Sequence, residues 1–265
     1  MCQRKTKIII REANSINAIT KSMKFTHFFR FLYRKLYKKA DKVIALSSVM
    51  VTELNKLYCV PQKKIKIIYN PIDEVYIKRN IHKIRRPFPE NINLIASGRL
   101  VWQKGFDRLI EAFSYTNENL NLIIMGDGPE ELNLKKIVRE KNLESKISFI
   151  GYQKNPWEWY ASADAMIIAS RWEGMPNNAL EALACGCPII ANTKAGGVID
   201  LKQFDNQKSI RLVSTVEDLI IEMNNTLKRN MTDFPSQSLL PDRFKIDYSI
   251  KNYEELFKSI YGMKN

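Results

Sequence analysis

The sequence predicts an α/β protein organised on a doubly wound parallel sheet. Three observations lead there. From Ile92 onward, strand-like and helix-like segments alternate in the rhythm of βαβ units. The first of these segments, Ile92 to Ala96, is apolar throughout and reads as a buried strand. The 265 residues are 45% hydrophobic, which is ample for a packed core.

The elements follow in order. Residues 7–12 read as a strand, Thr26 to Ala40 as a helix, 42–47 as a strand and Val49 to Tyr58 as a second helix. Residues 71–91 are polar and carry Pro71, Pro87 and Pro89, which suits a linker. Strands are expected near 92–97, 121–126, 146–150, 164–169, 188–192 and 209–213. Helices are expected near 105–116, 129–141, 155–162, 176–185 and 215–228. The first of these puts Phe106, Leu109, Ile110 and Phe113 on one face. The turn Met125 to Glu131 ends a strand and opens a helix, with acidic residues where the helix dipole favours them. Trp157, Trp159 and Tyr160 are expected to pack in the core. Tyr248 to Tyr261 reads as a final amphipathic helix with Tyr253, Leu256, Phe257 and Ile260 as its apolar stripe. The division expected is a partial α/β domain at 1–75, a linker at 76–91, the main domain at 92–240 and a last helical segment at 241–265.

Composition narrows the partners. The net charge is +14, which favours acidic ones: nucleotide-sugars, nucleic acid or an anionic membrane face. The basic residues are scattered and no nucleic-acid motif occurs, so a nucleic-acid partner is not expected. No apolar run is long enough to span a membrane, and the first residues have too short an apolar core for a signal peptide. Cys2, Cys59, Cys185 and Cys187 form neither a disulfide framework nor zinc-ligand spacing, which fits a reducing cytoplasm. Lys21 to Lys42 interleaves cations with Phe25, Phe28, Phe29, Phe31, Tyr33 and Tyr37. Its aromatics are expected to face a core and its cations water. The other reading is a helix lying on an anionic membrane.

Two constellations carry chemistry. Ser97-Gly98-Arg99-Leu100 ends the strand at Ile92, and Gln103-Lys104-Gly105 opens the next helix. Arg99 and Lys104 thus share a strand-to-helix loop at the carboxyl edge of the sheet, where ligands bind. Arg presents a fork to phosphate oxygens and Lys a mobile point charge. The second is Glu173-Gly174-Met175-Pro176-Asn177-Asn178-Ala179-Leu180-Glu181. Pro176 suits the first helical position, and the amides of that turn form a ready phosphate site. Glu173 precedes the helix and Glu181 lies inside it, so each carboxylate can accept from hydroxyls of a different part of one ligand. Asn178 can donate to a phosphate; Asn177 either does the same or caps the helix.

Gly98-Arg99-Leu100 with Lys104-Gly105, Gly126-Asp127-Gly128-Pro129, Glu173 with Glu181, and Ala184-Cys185-Gly186-Cys187-Pro188 together resemble the donor half of a retaining glycosyltransferase of the GT-B type, family 4. Ala40 to Ser47 and Ile68 to Asp73 are similar to it as well. The resemblance spans roughly residues 40 to 200. It implies a Rossmann-like donor domain that binds a nucleoside-diphosphate-sugar, most often a UDP-sugar, and transfers the sugar with retention to a glycan or lipid-linked acceptor. Surface-polysaccharide synthesis in the cytoplasm, at or near the inner face of the membrane, would follow.

The resemblance also implies residue roles. Arg99 and Lys104, with the amides of residues 174–179, would stabilise the leaving diphosphate. Glu173 would hold the donor sugar, and Glu181 the ribose. Gly151 and Tyr152 would meet the base through their backbone, with Gly98 and Gly126 completing the donor site. Arg11 and Glu12, in a loop facing the cleft, would approach the acceptor. The last helix would cross back onto the first domain. No Asp-x-Asp motif occurs, so neither metal nor cofactor is expected. Only about half of a usual first domain precedes the linker, and neither His27 nor His82 matches the family's acceptor-side histidine. A shortened member is expected, with a non-catalytic remnant that still binds the nucleotide-sugar as the alternative. A nicotinamide oxidoreductase is disfavoured because Gly126-x-Gly128 lacks its third glycine, position 131 being Glu.

Overall fold

The computed structural model describes residues 6–16, 26–232 and 234–262. Cys2, Lys21 and Phe25 lie outside them. Two parallel sheets form the frame. The smaller holds β1 (Ile9–Arg11), β2 (Lys42–Ala45) and β3 (Ile65–Ile67) in that order. The larger holds β4 (Ile92–Ser97), β5 (Leu120–Met125), β6 (Ile147–Phe149), β7 (Ala165–Ile168), β8 (Ile189–Asn192) and β9 (Ile210–Val213). Its order is β6-β5-β4-β7-β8-β9.

Every residue of β4, β5, β7 and β8 is buried. That is why these strands are apolar rather than alternating: both sheet faces are covered. Leu94 and its neighbour Ile95 point to opposite faces and enter different cores. On one face, Leu94, Leu122 and Ile190 pack with α4 (Phe106–Phe113), α5 (Glu131–Glu140) and α9 (Val216–Asn224). On the other, Ile95 and Met166 join α6 (Trp157–Ser162) and α7 (Asn177–Ala184), and the same cluster takes in Val43 and Ala45 of the smaller sheet. One apolar core therefore ties the two sheets together.

The smaller sheet carries α1 (Thr26–Lys39) and α2 (Ser48–Lys56). Ser47 caps α2 by accepting from the Met50 amide. The next residue, Ser48, donates its amide to the Asp200 carboxylate at 2.7 Å, and its hydroxyl to the same group. Asp200 is buried in α8 (Val198–Gln203), so this contact crosses between the sheets. The last helix, α10 (Ile246–Tyr261), lies on the smaller sheet: Leu256 packs with Ile44 and Ile68, and Tyr253 and Ile260 join them.

Several expectations need correction. The stretch 71–91 is not a plain linker. Asp73 caps α3 (Glu74–Arg79) by accepting from the Tyr76 amide at 2.8 Å, and Ile72 bridges to Lys245. Strand β3 and helix α8 are too short to leave a readable period. Phe257 is 46% exposed and stands outside the buried stripe of α10. In α1, Tyr37 is buried and Tyr33 packs on the core, yet Phe28, Phe31, Leu32 and Leu36 face outward. The expectation that the aromatics of this helix turn inward holds for one side of it only.

Candidate functional site

The strand order of the larger sheet reverses between β4 and β7. Chains leaving those two strands turn to opposite faces, so a crevice opens at their carboxyl ends. The crevice has a volume of about 530 Å³. Gly98, Arg99 and Lys104 reach it from the loop after β4, and Gly126 from the loop after β5. Tyr152 comes from the loop after β6. Glu173, Met175, Pro176, Asn177 and Asn178 close it from the segment between β7 and α7.

The charges are arranged asymmetrically. Lys104 Nζ lies 2.5 Å from Glu173 Oε1, and Ser170 Oγ donates to the same oxygen at 2.9 Å. Both side chains of the pair are mostly shielded, so the contact is stronger than a surface ion pair. Arg99 is exposed, and its guanidinium has no hydrogen-bond or ion-pair partner among the described residues. A diphosphate entering the crevice would thus meet one committed cation and one open one.

Helix α7 begins one residue later than the sequence suggests. Pro176 has ψ 107° and stands at the cap, not at the first helical position. The amides of Asn177 and Asn178 therefore form the first turn and have no intrahelical acceptor. The Ala179 amide is already engaged, by Pro176 O at 3.1 Å and by Asn178 Oδ1 at 3.0 Å. Asn178 Nδ2 donates to Ser97 O at 2.7 Å, so its side chain braces the loop after β4. Asn177 Oδ1 accepts from Asn70 Nδ2 at 2.5 Å, and Asn70 Oδ1 accepts from Arg11 Nη2 at 2.5 Å. A relay from the smaller sheet thereby ends at the crevice wall.

The remaining sequence-predicted residues lie outside the crevice lining. Gly151 sits just behind it, its carbonyl accepting from the Gly126 amide at 2.9 Å. Gly174 is buried where Ala13 O and Asn14 Cα occupy the space a side chain would need. The loop holding Arg11 and Glu12 therefore comes close to the Glu173 segment. Burial pushes the Glu12 carboxyl up; a hydrogen bond from Tyr37 works against that, and Glu53 adds to it. Glu181 lies deeper along α7. Burial raises its pKa, and the Trp157 indole N–H pulls it back without reaching hydrogen-bond geometry.

Sequence reasoning missed Ser97, Met125, Asp127, Gln153, Pro156 and Tyr160 as parts of the wall. Tyr160 is buried as expected, but its hydroxyl meets Ser97 Oγ at 2.7 Å at the crevice floor. A buried tyrosine hydroxyl needs a partner, and that was the signal available. No cluster of three or more His, Cys, Asp or Glu suited to a metal occurs among the described residues.

The chain is similar to known proteins along most of its length. Residues 77–227 match the family model described as glycosyl transferases group 1, and residues 18–75 match the model described as glycosyltransferase family 4. The chain is 29% identical over 203 residues to N-acetylgalactosamine-N,N'-diacetylbacillosaminyl-diphospho-undecaprenol 4-alpha-N-acetylgalactosaminyltransferase of Campylobacter jejuni, a match covering 74% of this chain and 54% of that protein. It is 29% identical over 236 residues to N-acetyl-alpha-D-glucosaminyl L-malate synthase of Bacillus anthracis, covering 84% and 61%. The chain thus spans little more than half the length of these relatives. In fold it is similar to Anabaena HepE, solved in complex with UDP, with a TM-score of 0.78 and 21% identity over 96% of this chain and 72% of that one.

Proposed function

The chain belongs to the glycosyl transferases group 1, and on that premise we propose that it moves a sugar from a nucleoside-diphosphate-sugar to an acceptor hydroxyl. One observation carries the reading: Arg99, Lys104, Glu173 and the first turn of α7 converge on a single crevice at the sheet's switch point. That is a donor site in physical terms, with cations and helix amides for a diphosphate and a carboxylate for hydroxyls.

In this mechanism the bond between the sugar's anomeric carbon and the diphosphate oxygen breaks. The acceptor oxygen bonds to that carbon from the same face, so configuration is retained, and the acceptor proton leaves with the diphosphate. Arg99 and Lys104 take up the charge that grows on the leaving group, so no metal or cofactor is assigned. Glu173 holds the sugar and orients Lys104, and Glu181 takes the ribose. Residues 92–240 form the donor side and residues 1–75 the acceptor side, with 76–91 joining them and 241–265 returning to the first part. UDP is the nucleotide of choice, in keeping with the UDP complex of HepE. The acceptor is a glycan or lipid-linked glycan in surface-polysaccharide synthesis, at the inner face of the membrane.

Thermal denaturation with UDP, UDP-sugars, GDP and NAD tests the donor site. Saturating UDP at about a hundredfold over its Kd should add about 2.7 kcal/mol of stability. Lys104→Ala should remove most of that gain, and NAD should give none. A flat response to every nucleoside diphosphate would sink the reading. Release of free sugar from UDP-sugars then separates an enzyme from a remnant that only binds.

A further inference from the structure

The outward side of α1 has no role in the donor site, and its chemistry is specific. Phe28 is 61% exposed, Phe31 55% and Leu36 48%, with Leu32 beside them. At helical spacing these four residues share one stripe. The opposite side of the helix is satisfied: Tyr37 is buried and Tyr33 packs against Tyr58. So the stripe is not a core face turned out by a misplaced register.

Charge decides what can cover it. Helix α1 contains Arg34, Lys35, Lys38 and Lys39 and no acidic residue. Lys35 Nζ lies over the Phe31 ring at 4.9 Å, so a cation sits within the apolar stripe itself. A purely apolar groove would have to desolvate these cationic groups. An anionic bilayer meets both demands at once: ring and leucine side chains enter the interface, and long basic side chains reach back to the phosphates.

We propose that this face of α1 docks on an anionic phospholipid bilayer. The topology gives the contact a direction. Strands β1 and β2 are parallel, so α1 must run back between them. Its first turns, with Phe28, therefore lie at the carboxyl end of the small sheet. That is the end where the Arg11 loop approaches Gly174 and the crevice. A bilayer seated on Phe28 and Phe31 brings the lipid surface to the open side of the cleft, where a lipid-linked acceptor would enter. The docking stands without the donor reading; only its use for such an acceptor rests on it.

The test is co-sedimentation of the full chain with vesicles of phosphatidylcholine containing about one third phosphatidylglycerol, against phosphatidylcholine alone. The protein should pellet with the anionic vesicles and stay in the supernatant with the neutral ones. Replacing Phe28→Glu together with Phe31→Glu should lower the partition coefficient at least tenfold. The pair Leu227→Glu and Phe257→Glu changes net charge equally at exposed residues elsewhere and should leave partition within twofold of the wild type. Melting temperatures of all forms show that each is folded. Three results would overturn the proposal: no wild-type binding to anionic vesicles, equal losses from the two pairs, or a stable dimer that the α1 pair converts to monomer without any vesicle binding. UDP binding is measured on the same samples, so a failed donor site is told apart from a failed docking face.

Discussion

Glu181 shows how one residue's setting carries its chemistry. It is held in α7 with only part of its surface in water, and burial raises its carboxyl above the ordinary value of 4.5. The native state then binds this proton more tightly than the unfolded chain does. Its contribution to stability therefore falls as pH rises from the unfolded pKa through the folded one. Replacing Glu181→Gln removes the titration. Urea unfolding without ligand should show the wild type losing stability relative to the variant as pH rises above about 4.5. Parallel curves for the two proteins would mean that the carboxylate is already solvated. The same strain suits a donor-binding group, since hydroxyl donors from a ligand would stabilise the ionised form that the empty protein disfavours.

At the scale of elements, the crevice depends on how closely two loops approach. Gly126 follows β5 with φ 135°, a conformation that side chains rarely adopt. A Cβ there would run into the Gly98 carbonyl, in the loop that carries Arg99. Gly126→Ala must therefore push one loop away from the other. We expect a loss of about 1–3 kcal/mol in stability and a smaller UDP-induced rise in melting temperature than the stability loss alone explains. A variant that binds UDP as the wild type does would show that the loop after β4 can shift freely. Helix α7 illustrates the same scale. Its cap at Pro176 rather than Asn177 frees the Asn177 side chain to receive Asn70 from the other sheet.

The whole molecule is held across its two sheets by few polar contacts. Among the described residues these include the relay Arg11, Asn70, Asn177, and Asp200 receiving the amide and hydroxyl of Ser48. Asp200 is 1% exposed, so its loss removes a buried acceptor and leaves the Ser48 amide and hydroxyl without this partner. Asp200→Ala should cost about 1–3 kcal/mol, read as a lower urea midpoint. An unchanged midpoint would mean that the shared apolar core alone joins the sheets. Neither Ser48 nor Asp200 stands out in the sequence, because a polar pair across an interface leaves no local pattern.

The architecture of the larger sheet was legible because it rests on local rules. Buried parallel strands must be apolar, amphipathic helices must repeat, and Gly98, Gly126 and Pro176 mark the loops that meet the crevice. The convergence of Arg99, Lys104 and Glu173 followed from their place at strand ends. Other features depend on contacts between distant residues, and only the tertiary structure decided them. Asn70 reaching Asn177, Tyr160 turning its hydroxyl to Ser97, and the four apolar side chains of α1 that face outward are of this kind. A helix's period shows that two faces exist; which one meets protein is settled by what the rest of the chain brings against it.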